Sequence, residues 1–111
     1  MVRGKDAPER LVKTYELVIS AAAEGDIEAS FHWYRERNVL SADGFRAQVI
    51  DAIDSIARSP LSHPADEEGN RHRVLHRFPY SVFYEVVERT VTILAVAHHR
   101  RKPGYWGRGA P

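Results

Sequence analysis

Five residues near the C-terminus carry the side chains that a metal-independent cut of RNA requires. Such a cut uses the ribose 2′-OH as nucleophile, so it needs a group that takes this proton and cations that stabilise the phosphorane. Arginine holds phosphate through two parallel hydrogen bonds, histidine titrates near neutral pH, and tyrosine can orient or stack a base. The candidates for this chemistry are Arg73, Arg77, His98, Arg101 and Tyr105.

The same end of the chain also has the composition of a protein-binding surface. Tyrosine, tryptophan and arginine dominate the energy of many interfaces. The candidates for such contacts are Arg100, Arg101, Lys102, Tyr105, Trp106 and Arg108. Two plainer alternatives stay open at this point. The upstream arginines Arg73 and Arg77 can be exposed strand cations, and Trp106 can simply pack on the core.

The histidine pairs do not predict a metal site. His72 and His76 would share a face only in a helix, and the surrounding pattern is that of a strand. Residues four apart in a strand stand ~13 Å apart, whereas zinc ligands lie within ~2.1 Å of the ion. His98 and His99 would point to opposite faces of a strand, and the chain has no cysteine. We expect no metal and no other cofactor.

Charge is divided unevenly along the chain, although the formal net charge is only +1. Residues 1–70 carry eight Lys/Arg against thirteen Asp/Glu, and residues 71–111 carry eight against two. A cationic second part favours an anionic partner, such as nucleic acid or an acidic protein segment. Alternatively, the two parts neutralise each other in the fold.

The length of 111 residues is that of one domain that buries its own core. The apolar runs are too short to span a bilayer, and the N-terminus has no signal-like segment. We therefore expect a soluble cytoplasmic protein without a membrane partner. Its single domain would span 1–111, with a poorly ordered lead-in over 1–12, a core over 13–104 and a tail over 105–111.

One strand and two helices are predicted in the first half. The alternation from Lys13 to Ile19 predicts a half-buried strand. Ser20 is a candidate N-cap for a helix that runs to about Arg37, and a start at Asp26 is the alternative.

The second helix is predicted between Ser41, a candidate N-cap, and Pro60, since the residue before proline disfavours helical dihedrals. Its apolar stripe is Phe45, Val49, Ala52, Ile53 and Ile56. The aromatic residues of the two helices are assigned to packing: Phe31, Trp33, Tyr34 and Phe45. A short connection predicts an antiparallel helical hairpin.

Three strands are predicted after an exposed loop at 60–70, over about 71–78, 80–87 and 91–97. The strand at 80–87 is apolar on nearly both faces, which is typical of a strand in the middle of a sheet. The connections are too short for parallel crossovers and therefore predict an antiparallel meander. The fold class is α+β in the order β-α-α-β-β-β, with the N-terminal helical hairpin packed on a mainly antiparallel sheet.

The order of elements, together with several motifs, resembles the RelE/ParE superfamily of bacterial toxin–antitoxin toxins. These motifs are Asp26-Ile27, Trp33-Tyr34, Ser59-Pro60, Arg73, Phe78-Pro79-Tyr80-x-x-x-Tyr84, and Ala95-Val96-Ala97-His98 followed by Arg101 and Pro103. The Phe-Pro-Tyr turn and the His-x-x-Arg ending are more similar to the ParE branch.

The resemblance implies a type II toxin that a cognate antitoxin wraps and keeps inactive. ParE-like members are associated with poisoning DNA gyrase by binding, whereas RelE-like members cut mRNA in the ribosome and are markedly basic, with several lysines in the site. Here Lys102 is the only lysine after Lys13. We therefore expect ParE-like growth inhibition by binding. RelE-like cleavage is the alternative, and an inactive, partner-binding relic is a third.

Overall fold

A computed structural model describes residues 14–100 of the protein. The elements are strand β1 (Glu16–Ile19), helices α1 (Ala21–Arg37) and α2 (Val39–Arg58), a short 3₁₀ turn (Pro60–Ser62), and strands β2 (Asn70–Val74), β3 (Tyr80–Val87) and β4 (Thr90–His98). This order confirms the predicted β-α-α-β-β-β arrangement and the α+β class. The predicted lead-in over 1–12 and tail over 105–111 lie outside the described residues.

Helix α1 begins directly after Ser20, the first of its two predicted starts. The Ser20 hydroxyl accepts the N–H of Ala23 at 3.0 Å, which satisfies one of the unpaired donors at the helix N-terminus. The same hydroxyl donates to the Leu94 carbonyl at 3.2 Å, and the Ser20 N–H donates to the Ile93 carbonyl at 3.0 Å. The cap therefore also attaches the helix to β4.

Helix α2 begins earlier than predicted, and the assignment of Ser41 as its cap is wrong. Asn38 takes this position instead, because its Oδ1 accepts the Ser41 N–H at 3.1 Å. The Asn38 N–H also donates to the Tyr34 carbonyl at 2.7 Å, which ends α1. One residue thus ends the first helix and caps the second, so the connection of the hairpin is a single residue.

The four strands form one mixed sheet in the order β1-β4-β3-β2. Strands β2, β3 and β4 are antiparallel neighbours, as predicted, and β1 pairs parallel with β4. The apolar strand β3 lies between two neighbours, which confirms its predicted central position. Strand β2 ends at Val74, several residues before the predicted end, because residues 75–79 form the connection to β3.

Strand β1 is shorter and more exposed than its alternating sequence predicted. All four of its residues are exposed, and even Leu17 and Ile19 have exposed fractions of 39% and 36%. The prediction of a half-buried strand is therefore wrong. Alternation reports the period of a strand, but burial depends on where the strand lies in the sheet, and β1 lies at an edge.

The helical hairpin packs its apolar side on one face of the sheet. The predicted stripe of α2 is buried in full. It packs in one cluster with strand residues that include Val82, Tyr84 and Ile93. At one end of this core, the Tyr34 ring lies 5.4 Å from that of Phe45 and 5.2 Å from that of Phe78. Between residues 14 and 100, neither helix combines the length and the apolar character that crossing a membrane requires.

Tyr84 joins the centre of β3 to the turn that follows α2. Its side chain is fully buried, and its hydroxyl donates to the Pro60 carbonyl at 2.7 Å. Burial raises the pKa of Tyr84, against a smaller opposite effect of Arg71 and Arg73. The hydroxyl therefore stays protonated and remains a donor at neutral pH.

Replacement of Tyr84 by phenylalanine should lower the free energy of unfolding by about 1–3 kcal/mol, because the buried Pro60 carbonyl loses its donor. Urea unfolding measures this change. Tyr15→Phe is the matched control: it removes a hydroxyl from a partly buried tyrosine that has no hydrogen bond to residues 14–100. It should change the stability by less than about 0.5 kcal/mol. Equal losses in the two variants would contradict the role of Tyr84.

Candidate functional site

In the part of the chain that the structure describes, two of the clefts lie between the helical hairpin and the sheet. Cleft A has a volume of about 650 Å³ and lies between α2 and the edge strand β2; its lining is Gln48, Asp51, Ala52, His63, Pro64 and residues 72–76. Cleft B has a volume of about 440 Å³ and lies between α1 and the paired ends of β3 and β4; its lining is Ala29, Ser30, Trp33, Tyr34, Tyr80, His98 and Arg100.

The predicted catalytic residues do not share one cleft. Arg73 lines cleft A, and His98 lines cleft B. The strand register puts their Cα atoms two strands and two residues apart, which is about 12 Å. Arg77 is exposed in the connection between β2 and β3 and lines neither of these clefts.

Most of the predicted partner-binding residues lie outside the described part of the chain. Arg100 is the described member, and it lines cleft B with an exposed side chain. The other predicted partner-binding residues lie outside residues 14–100: Arg101, Lys102, Tyr105, Trp106 and Arg108. Two of them, Arg101 and Tyr105, are also catalytic candidates.

His98 is held at the end of β4 by two contacts. Its ring lies edge-on to that of Tyr80, with 5.1 Å between the centroids, and its Nδ1 accepts the Arg100 N–H at 3.1 Å. This bond assigns the proton of the neutral ring to Nε2. The half-buried imidazole lines cleft B and keeps Nε2 as its donor atom.

Aromatic rings form much of the wall of cleft B. Tyr34 lies 6.3 Å from Tyr80, between ring centroids. Burial raises the pKa of Tyr34, and the neighbouring Tyr80 raises it further. Trp33 has an exposed fraction of 51%, so its assignment to packing is wrong. The Arg37 guanidinium lies 3.8 Å from the centre of the Trp33 ring, which leaves a stacked cation and aromatic pair at the surface.

Asp26 hydrogen-bonds the part of β4 that its neighbour β1 does not reach. Because β1 ends at Ile19, β4 extends beyond its parallel partner. On α1, the Asp26 Oδ2 accepts the Val96 N–H at 2.9 Å. This bond lies two residues before His98 and so fixes the strand end that carries it. The sequence offered Asp26 as an alternative helix start and, with Ile27, as a family motif, but not as the partner of β4, because the bond joins residues 70 positions apart.

Replacement of Asp26 by alanine should cost about 1–3 kcal/mol of stability, because the Val96 N–H loses a charged acceptor. It should also speed amide exchange at Val96 and His98, as measured by NMR. Asp26→Asn keeps an acceptor oxygen and should lose less on both measures. If the alanine and asparagine variants lose the same stability, the hydrogen bond does not hold β4.

Cleft A combines an arginine with several titratable side chains. Arg73 and three histidines line it, against the single carboxylate of Asp51. Within residues 14–100, Arg73 forms no salt bridge. The neighbouring Arg71 is engaged, since its guanidinium donates to the His63 carbonyl. The Arg73 guanidinium is therefore available to an anionic group.

The pKa of His63 responds to burial and to the positive charge around it. Burial lowers its pKa, and the charges of Arg73, His72 and Arg71 lower it further. The folded protein therefore favours the neutral ring. Its Nδ1 lies 3.3 Å from the Ser62 hydroxyl.

The lowered pKa of His63 predicts that folding stability depends on pH. As the pH falls from the ordinary histidine pKa of about 6.5 toward the lower folded value, the unfolded chain binds the proton more readily, so folding stability falls. Arg73→Gln should raise the pKa of His63 toward 6.5 and reduce this loss. NMR titration of His63 and urea unfolding at two pH values measure both effects. Arg35→Gln on α1 is the control, and an unchanged His63 pKa in Arg73→Gln would contradict the assignment.

The histidines do not converge on a metal. Among residues 14–100, no three histidine, aspartate or glutamate side chains form a group that could hold an ion. The His72 ring packs on Phe83, with 5.3 Å between centroids. His99 lies 3.1 Å from the Ser81 hydroxyl through its Nε2, away from the contacts of His98.

The profile of the ParE toxins of type II toxin–antitoxin systems, parDE, matches residues 17–103. This range is more than three quarters of the chain and includes both clefts. The chain belongs to this toxin family. The motifs that resembled the superfamily, and its ParE branch in particular, therefore identified the family correctly.

The toxin is also similar to solved structures. One is described as the chromosomal ParDE TA system from P. aeruginosa, with a TM-score of 0.69, 18% identity, and coverage of 77% of this chain and 96% of that chain. Another is the RelBE2 toxin–antitoxin complex from Mycobacterium tuberculosis, with a TM-score of 0.53, 24% identity, and coverage of 78% and 92%. These identities support likeness of fold alone. Among curated proteins, no sequence matches the toxin.

Proposed function

We propose that this toxin inhibits growth in the manner of ParE, by binding a target such as DNA gyrase, and that a cognate antitoxin neutralises it. The match of the ParE family profile over residues 17–103 carries this proposal. The ParDE and RelBE2 structures are of toxin–antitoxin systems, which supports an antitoxin as the partner of this chain.

A mechanism by binding fits the separation of the candidate catalytic groups. Cleavage of RNA needs a proton acceptor and cations around one phosphate. Arg73 and His98 line different clefts. Cleft B offers instead an exposed tryptophan, tyrosines and Arg100, the residue types that most often anchor protein interfaces.

Expression of the toxin alone should stop growth, and co-expression of a neighbouring reading frame that encodes the antitoxin should restore it. Colony counts measure both effects. Truncation after Pro103 should abolish the arrest, because it removes Tyr105 and Trp106. Circular dichroism of the truncated protein checks that it still folds. Purified toxin should inhibit supercoiling by gyrase or trap cleaved DNA, and failure in both assays would refute gyrase as the target.

A second candidate is ribosome-dependent cleavage of mRNA. The presence of both His98 and Arg100 in the lining of cleft B favours it. His98→Ala and Arg101→Ala should then each lower transcript cleavage by roughly 10²–10⁴-fold. His99→Ala is the matched control, because His99 contacts Ser81 instead. Absence of codon-position cuts after induction would exclude this candidate. Unimpaired growth at high expression of a folded protein would favour the inactive relic.

A further inference from the structure

Strand β1 turns one backbone edge toward β4 and leaves the other at the margin of the sheet. The Ser20 N–H donates to the Ile93 carbonyl of β4 at 3.0 Å, and Glu16 makes the equivalent bond four residues earlier, at 2.7 Å. Successive residues of a strand direct their N–H and C=O groups to opposite sides. The even-numbered residues of β1 therefore pair with β4. The backbone groups of Leu17 and Ile19 face away from the sheet.

This outer edge of β1 is open. Within residues 14–100, the N–H groups of Leu17 and Ile19 have no hydrogen-bond partner. The strand contains no proline, lysine or bulge, which are the usual protections of an exposed edge. At the opposite margin of the sheet, Asp66 and Gln48 bond the terminal backbone groups of the β2 edge. A further strand can therefore pair along all of β1, whereas both ends of β2 are closed to it.

The side chains of β1 are exposed although most of them are apolar. Leu17 pairs in register with the buried Val91, and Ile19 with the buried Ile93, so both lie on the helix side of the sheet. Their exposed fractions are nevertheless 39% and 36%. The partly buried Tyr15 packs against the same core. The sequence alternates as a half-buried strand does, and a neighbour at the outer edge would give β1 that burial.

We propose that β1 pairs antiparallel with β1 of a second copy of the chain, with Leu17 opposite Leu17 of the copy on a two-fold axis. The two four-stranded sheets then join into one continuous sheet. Tyr15 lies opposite Ile19 of the copy, so all the outward residues pair. Opposed residues of this kind exchange two hydrogen bonds, which gives about six in total. A register with Val18 opposite itself would leave Tyr15 unpaired and give only about four.

The sequence of β1 is complementary to itself in the proposed register. On the helix side, leucine opposes leucine and tyrosine opposes isoleucine, so the apolar cores of the two copies become continuous. On the other side, Glu16 opposes Val18 of the copy. No like charges therefore stand opposite each other, and such pairs would be destabilising. The formal net charge of the whole chain is only +1, so two copies repel each other little.

The observations favour this occupant over two others from the same chain. The β2 edge of another copy would generate an open chain of molecules rather than a closed dimer, but Asp66 and Gln48 close the ends of that edge. The segment 1–13 directly precedes β1 and contains six charged residues. Such a composition matches the apolar side chains of β1 poorly, whereas a second β1 matches them fully.

The proposed interface is small and leaves the rest of the molecule accessible. Two short strands bury less than the ~1,200 Å² of a standard interface, so the association is weak and depends on concentration. The lining of cleft A and that of cleft B include no residue of β1. The dimer therefore presents two copies of each cleft to any partner.

Sedimentation velocity of the full-length toxin over about a hundredfold range of concentration measures the association. The average mass should rise toward that of a dimer. Leu17→Glu and Leu17→Lys should each weaken the association by roughly tenfold or more, because like charges then meet on the axis. An equal mixture of the two variants should restore it, since the opposed charges differ in sign. Val74→Glu, at an exposed valine of the β2 edge, is the control and should associate like the unchanged toxin.

Three results of this experiment would overturn the proposal. The unchanged toxin could stay monomeric at every concentration. Its mass could instead grow beyond that of a dimer and fall in Val74→Glu, which would identify the β2 edge as the occupant. The mixture of the two Leu17 variants could also stay monomeric while the unchanged toxin dimerises, which would exclude Leu17 from the axis.

Single cysteines test the two-fold axis directly, because the chain has none of its own. Opposed residues of a hydrogen-bonded pair have Cα atoms about 5.5 Å apart, a distance that a disulfide spans. Leu17→Cys should therefore form a covalent dimer when oxidised glutathione is added. Ile19→Cys is the matched control, with similar exposure on the same face, but about 14 Å from its copy. It should cross-link at least roughly tenfold more slowly, and equal rates would overturn the register.

Amide exchange tests the pairing without any variant. In dilute toxin the amides of Leu17 and Ile19 should exchange rapidly, while that of Val18 is already protected by β4. At high concentration the first two should slow by roughly threefold or more, in proportion to the dimer fraction, and Val18 should change little. Protection of Leu17 and Ile19 in the monomer would identify residues 1–13 as the occupant. Rapid exchange of both at every concentration would show that the edge stays unpaired, and either result overturns the proposal.

Discussion

The antiparallel pairing of β3 with β4 is the interaction on which the rest of the structure depends. It sets Val82 and Tyr84 against the helices and brings Tyr80 beside His98 at the end of the sheet. A slip of one residue would turn each of these side chains to the opposite face. Such a slip would expose the core side chains and remove Tyr80 and His98 from the lining of cleft B. Strand β3 also pairs with β2 along its other edge, so the position of cleft A depends on the β3–β4 pairing as well.

Unequal strand lengths create the surfaces that the protein then closes or leaves open. Strand β4 extends beyond β1, and the carboxylate of Asp26 takes the place of the missing strand. At the β2 edge, Asp66 and Gln48 satisfy the terminal backbone groups. Proteins usually protect exposed strand edges in such ways, because unpaired amides invite another chain. Within residues 14–100, the middle of β2 is an exception, because the N–H groups of His72 and Val74 have no partner there.

Much of the fold was predictable because it follows from local spacing. The buried stripe of α2 and the two-sided apolar pattern of β3 are visible in the sequence, and Ser20 is a recognisable cap. The errors concern three features that local spacing does not record. The short, exposed β1 results from its place at the sheet edge, and Asn38 outcompetes Ser41 because one residue ends α1 and begins α2. The packing assignment of Trp33 failed because periodicity does not show where a helix face ends.

By itself, the sequence determined the order of the elements and the toxin family, because helical and strand periods, caps and short motifs are properties of neighbouring residues. The tertiary structure alone decided that Arg73 and His98 line separate clefts, since their distance depends on the strand order β1-β4-β3-β2. It alone also decided which amides stay unpaired. Whether an N–H finds a partner depends on contacts such as that of Gln48 with His76, 28 residues away along the chain, and no local pattern records them.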